Sequence, residues 1–463
     1  MTSNQRRLGR LTLVLFSVLC LVFPSIGNAG GPLLVGRTAF GIPGVPITWN
    51  TSAPIAYRVD GGPLSKRGTT VIVNNAAGLT RVQGEFSNWQ NVATTTIRYQ
   101  YGGPIQATGS FKGGDVASLA DYNAVRASCE AGTQSPIVFD ADGTIVSALG
   151  LPPDIIGFAS PCKVDAASGH IMSGFAVLNG QFQDGVNQAP NYELTAAQFD
   201  EAITHELGHF SGLDHSQINS DVLYSYPCST DNLAGLPLMF PIAACQARSE
   251  LGLPVLGPDD QAWISKLYPS ASFSSSYGTI SGRILFSDGK TAAQGVNVIA
   301  RRVDDPGTTE DESRRVAVSV VSGYLFTGSV GQSVSGTNNS GYGTGSRDAT
   351  LIGYYEIPVP PGTYTVEVEG IHPAFDGGSS VGPLDPPIWI PGPSEFWQSD
   401  ESAFDSVTDK DPITVSAGQT VDHTDIILNG ASSRFDQFED EGRLVPPMNA
   451  LPERRATSTG VAA

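Results

Sequence analysis

The sequence predicts a mixed α/β (α+β) domain followed by an all-β sandwich. The chain has 463 residues, too many for one compact core at roughly 100–200 residues per domain. Between residues 47 and 269, strand-like runs alternate with apolar residues spaced three and four apart. Beyond a small polar stretch at 270–276 (SASFSSS) the apolar period becomes two.

The elements follow in order. Arg6, Arg7 and Arg10 precede an apolar run from Leu11 to Phe23, and Gly27-Asn28-Ala29 offers small residues at a cleavage site, so 1–29 reads as a signal peptide. That run is short for a stable membrane span, which needs about 20 apolar residues. Residues 30–46 are Gly/Pro-rich and read as an extended lead-in. In the first domain, 47–269, strands are expected at 54–59, 70–73, 95–101, 136–139 and 171–178. Leu79, Val82, Phe86, Trp89 and Val92 mark one face of a helix. Thr195 followed by Gln198 has the spacing of a capping box, so a helix should run from Ala196 to Ser211, with Gly212 ending it. A last helix starts near Pro258-Asp259-Asp260. After the linker 270–276, alternating strands bounded by Asp288-Gly289, Pro360-Pro361-Gly362 and Ala417-Gly418 suggest a β-sandwich over 277–430, with a mobile loop at 327–348. Residues 431–463 hold few large apolar side chains and read as a disordered tail.

Charge and cysteine usage narrow the function. Removing 1–29 takes away three arginines and no acids, so the formal charge moves from −19 to −22. Such acidity excludes nonspecific binding to nucleic acid or anionic membranes. Cys129, Cys162, Cys228 and Cys245 remain, an even number that favours two disulfides in a secreted, extracellular or periplasmic chain. Of the three connectivities the sequence-local pairs, Cys129 with Cys162 and Cys228 with Cys245, are expected.

The chemistry concentrates at residues 205–215, HELGHFSGLDH, which hold three of the six histidines. Residues four apart on a helix stand one turn above each other, so His205 and His209 can aim at one ion. Gly212 lets the chain turn so that His215 returns as a third ligand. Three protein ligands leave a fourth zinc position open, as catalytic sites require. Glu206, beside them, is then the general base for a zinc-activated water attacking a peptide bond. Asp140-Ala-Asp142-Gly143 fits a calcium loop or an Asp-Gly turn closing a hairpin, and both readings stay open.

This eleven-residue stretch matches HExxHxxGxxH, and so resembles the metzincin zinc peptidases. Ser216, directly after the third histidine, makes it most similar to the matrixins, the matrix metalloproteinase family. Leu238-Met239-Phe240-Pro241 resembles that family's Met-turn, which implies that Met239 lies beneath the ligands. Leu256 to Tyr268 resembles its final helix, and Glu85 to Val92 its first. The resemblance implies a twisted five-stranded sheet, three helices, a cleft over one zinc ion, and protein or peptide substrates. With no cysteine between Cys20 and Cys129 and only His170 upstream, neither a cysteine switch nor a second zinc is expected. Gly278 to Ile284, Gly295-Val-Asn-Val298 and Pro361 to Val366 resemble carboxypeptidase regulatory-like, transthyretin-like sandwiches. That second domain is either a surface or matrix attachment module or a spacer. Two functions are therefore expected in competition: a secreted zinc endopeptidase, or an extracellular binding or adhesion protein with a vestigial peptidase domain.

Overall fold

The structure is a computed structural model that describes residues 30–36, 44–189, 191–224, 229–326, 349–371 and 395–430. The signal-peptide stretch, Cys228, the 327–348 loop and the 431–463 tail lie outside them. The chain is mixed α/β with several sheets, followed by a β-rich part.

The first part runs β1 (Thr48–Trp49), β2 (Ile55–Val59), β3 (Ser65–Arg67), β4 (Thr70–Val73), α1 (Asn75–Gln90), β5 (Tyr99–Pro104), α2 (Leu119–Glu130), β6 (Pro136–Asp140), α3 (Thr144–Ala148), β7 (Gly157–Val164), β8 (His170–Asn179), α4 (Ala196–Phe210), α5 (Thr230–Ala234) and α6 (Pro258–Leu267). Its main sheet has the order β1-β8-β6-β2-β5 with all neighbours parallel, and β7 adds to β8 antiparallel. Alternate side chains face opposite layers. Ile137, Phe139, Ala176 and Leu178 share a core with Phe86, Trp89, Phe199 and Ile203 of α1 and α4. Val138, Phe175 and Val177 face Tyr122 and Val125 of α2. Burial on both faces explains why Pro136–Asp140 reads as a continuous apolar run rather than an alternating one.

The expected elements are present, though some differ in pairing or bounds and others, α2 among them, were not expected. Thr70–Val73 is a strand, but it pairs only with β3 in a separate two-stranded sheet and is largely exposed. The strand expected at 95–101 starts at Tyr99, because the backbone N–H of Thr96 and the hydroxyl of Thr95 donate to Tyr268 O instead of a ladder. Residues 157–164, given no strand by the sequence, form β7. Cys129 and Cys162 are joined, tying α2 to β7. Cys245 is also disulfide-bonded, and its expected partner, Cys228, lies outside the described residues.

The stretch expected as a linker carries a turn of helix, α7 (Phe273–Ser276). Two sheets follow. One joins β10 (Val296–Arg302), β11 (Ala317–Val321), β13 (Gly362–Gly370), β14 (Glu395–Phe396) and β15 (Ile413–Val415); the other joins β9 (Gly278–Leu285), β12 (Tyr354–Val359), β16 (Thr420–Val421) and β17 (Ile426–Ile427). A short helix, α8 (Glu312–Arg315), precedes β11. One apolar core runs without a break from Trp89 and Trp263 into Val318, Val320, Ile357 and Val366, across the position where a linker was expected. Among the described residues no helix is long and apolar enough to cross a membrane.

Candidate metal centre

Helix α4 is fixed at its start by the expected capping box. Thr195 Oγ1 accepts from Gln198 N at 3.1 Å, and Gln198 Oε1 accepts from Thr195 N at 3.0 Å. Phe199, Ile203, Leu207 and Phe210 are fully buried and hold the helix against the sheet. From α1, Trp89 Nε1 donates to Thr204 O at 2.8 Å, and Glu85 accepts from the Thr204 hydroxyl at 2.6 Å. The residue before the first histidine is thus bonded through both main chain and side chain. At the helix end, Gly212 adopts φ +89°, a left-handed conformation that favours glycine, and turns the chain back toward the helix.

The turn brings His205, His209 and His215 together, all buried. His205 Nδ1 lies 2.8 Å from Leu238 O, and His209 Nδ1 lies 2.9 Å from Leu213 O. A carbonyl can only accept, so both Nδ1 atoms carry the proton and both Nε2 atoms are bare lone pairs. Those two Nε2 atoms each lie 3.0 Å from His215 Nε2. Tetrahedral zinc, with bonds of about 2.0–2.1 Å, separates its nitrogen ligands by about 3.3 Å. Burial lowers the His205 pKa to about 4; burial and then His205 lower that of His209 to about 3. Both rings are neutral near pH 7, the form that ligates metal. The three residues fit one metal ion, and among the described residues they are the one such group.

Glu206 is 1% exposed, and its Oε2 has no hydrogen-bond partner. Burial pushes its carboxyl up to about 8. It lies against Gly157, the first residue of β7, where a Cβ would come within 2.7 Å of Glu206 Cγ. Met239 packs against Gly208 of the motif, where a Cβ would overlap its Sδ. The backbone there is held by Asp260, which accepts from Leu238 N at 2.8 Å and Met239 N at 3.0 Å. Asp260 therefore reaches the centre in two steps, through Leu238 N–H and then Leu238 O to His205. Beside His205 lies a cavity of about 50 Å³ lined by apolar residues such as Leu238, Phe240 and Ile242 and by the charged Glu201 and Arg248.

Asp140 and Asp142 are engaged by groups of their own turn and by Lys66. Asp140 Oδ1 and Oδ2 accept from Ile145 N at 3.0 Å and Val146 N at 2.8 Å, capping α3, while Asp142 accepts from the Thr144 hydroxyl and pairs with Lys66. The turn leads into a helix rather than closing a hairpin. His170 Nδ1 lies 3.2 Å from Thr48 O, at the edge of the sheet. Sequence reasoning missed Gly157, one of 53 glycines with no motif to single it out. It found Asp260 as a helix start but not as the anchor of the Met239 turn, because the bond joins residues about 20 apart.

No protein-family model matches the chain, and no curated protein matches it. Among solved structures, the chain is similar to BcpA, the major pilin subunit of Bacillus cereus, at 15% identity and a TM-score of 0.16. That likeness covers 34% of this chain and 31% of the pilin, so the chain spans about a third of the pilin's length. So low a score carries no argument about fold or function.

Proposed function

We propose that the chain is a secreted zinc-dependent endopeptidase of the metzincin type, with a matrixin-like catalytic domain and a C-terminal β-sandwich. The observation that carries this reading is the unprotonated Nε2 pair of His205 and His209 converging on His215, with the unpartnered Glu206 carboxylate buried alongside. A bound zinc ion supplies Lewis acidity, bringing the pKa of a water down toward 7 and polarising the scissile carbonyl. Glu206 takes the proton as the water oxygen attacks the carbonyl carbon, and returns it to the amine nitrogen as the C–N bond breaks. The outer strand β7 passes Glu206 at Gly157 and offers an edge on which an extended peptide can add as a further strand. The cavity beside His205, part apolar and part lined by Glu201 and Arg248, is a place for one substrate side chain. The Cys129–Cys162 disulfide agrees with an oxidising, extracellular location.

The test is a zinc titration combined with cleavage of a proteome-derived peptide library, on wild type and Glu206→Gln. Wild type should bind one zinc ion and cleave. Glu206→Gln should keep the zinc and lose about 10²–10⁴-fold in rate. Wild type that holds zinc and cleaves nothing would favour the binding or adhesion reading.

A further inference from the structure

We propose that the C-terminal two-sheet part positions the third metal ligand, with Asn297, Ser319 and Glu369 as positioning residues; this rests on the zinc-site reading above. The segment leaving His215 does not turn to solvent. Ser216, Gln217, Ile218 and Asn219 are all buried, and each is held by the C-terminal part. Ser216 Oγ lies 3.0 Å from Ser319 Oγ. Gln217 Nε2 donates to Glu369 Oε1 at 2.6 Å and to Gly370 O at 3.0 Å, and its carbonyl accepts from Asn297 Nδ2 at 2.6 Å. Ile218 packs on Ile299 and Ala317. Asn219, in the left-handed region at φ +57°, donates to Arg314 O at 3.0 Å and accepts from Arg301 Nη1 at 2.8 Å.

Two features make this more than a domain contact. Asn297 is fully buried and bridges both partners, because the same Nδ2 also donates to Glu369 Oε1 at 2.9 Å. Ser319 is bonded from three directions: its N–H donates to Asp259 at 2.8 Å, its carbonyl accepts from Trp263 Nε1 at 2.7 Å, and its hydroxyl meets Ser216. Helix α6 thus divides its two carboxylates. Asp260 fixes the Leu238-Met239 turn that orients His205, and Asp259 fixes the strand that holds the residue after His215. The loop over 233–240 seats its apolar side chains, Leu233, Leu236 and Phe240, on Val321 and Ile371 of the same part. Partners beyond the ligands themselves orient metal-binding side chains, and losing them commonly costs about 10–100-fold in affinity.

The test uses the full chain and three variants. Asn297→Asp keeps the size but turns the donor into an acceptor facing Gln217 O and Glu369. Ser319→Ala removes the hydroxyl contact with Ser216 and leaves the backbone bonds. Tyr355→Phe is the control; it deletes the Tyr355 hydroxyl bond to Thr424 O on the other sheet, away from the 215–219 segment. Zinc affinity is read by chelator competition, ligand geometry by the visible spectrum of the cobalt(II)-loaded protein, and folding by thermal melting. Asn297→Asp should weaken zinc binding about 10–100-fold and change the cobalt spectrum, and Ser319→Ala should do so to a smaller degree. Tyr355→Phe should lower the melting temperature with zinc affinity and cobalt spectrum unchanged. Should Asn297→Asp not fold, Ser319→Ala decides. Wild-type affinity and spectrum in the folded variants overturn the inference while the zinc reading stands; absence of zinc binding by wild type overturns both.

Discussion

At the scale of single residues, Gly157 and Glu206 form the tightest coupling between the sheet and the proposed chemistry. A methyl at 157 would come within 2.7 Å of Glu206 Cγ and 3.0 Å of its Cδ and Oε1, so the carboxylate must move. Gly157→Ala should lower kcat on the order of 10²-fold, the usual cost of misplacing a catalytic group by about 1 Å. Zinc affinity should stay at the wild-type value, which a parallel kinetic and zinc titration would check. The histidines were legible because their relation is local: a helical period of four and one glycine turn bring them together. Gly157 was not, since its role depends on a side chain 49 positions downstream that the sequence cannot place beside it.

Elements carry the next set of expectations. The Thr195 capping box satisfies two backbone groups at the start of the ligand-bearing helix, and Thr195→Ala should cost about 1 kcal/mol in denaturant unfolding. Among the described residues strand β7 pairs only with β8, and besides packing on α4 and α2 it is tied to α2 by the Cys129–Cys162 bond. Replacing both cysteines by serine should cost about 2–4 kcal/mol and should raise amide exchange over 157–164 more than over the parallel strands. The same strand shows why some elements escaped the sequence. Its register shifts between Pro161 and Lys163 and again between Lys163 and Val164, so its inward residues never alternate cleanly. Helix α2 escaped for a related reason, since its buried set of Tyr122, Val125, Ser128 and Cys129 includes a serine and a cysteine among the apolar positions.

For the whole molecule, the buried carboxyls set the pH response. Burial raises Asp60 and Glu85 to about 7, and Asp259 and Glu401 to about 8, from ordinary values of 3.8 and 4.5. Their folded forms bind more protons than the unfolded chain does. The stability they contribute is therefore complete below about pH 4 and is lost as pH rises through about 7–8. Calorimetry of metal-free protein should show Tm falling from about pH 5 to about pH 8.5, and a flat or rising Tm would count against this account. The division of the chain into two parts was legible from the change of apolar period near residue 277. Their fusion was not, because the hydrogen bonds that make it join residues 56–153 positions apart and involve Ser, Asn and Gln side chains that carry no periodic signal.

The Gln217 to Glu369 bond also sets an order of events in time. A segment whose Gln217, two residues after His215, is bonded to Glu369 152 residues downstream cannot reach its final place while the chain is still emerging. Loop closure over such a distance makes it a late step of folding. His205 and His209 can be in place on their helix early, yet two imidazoles without the third hold zinc weakly, so the proposed site stays incomplete until β10, β11 and β13 have docked.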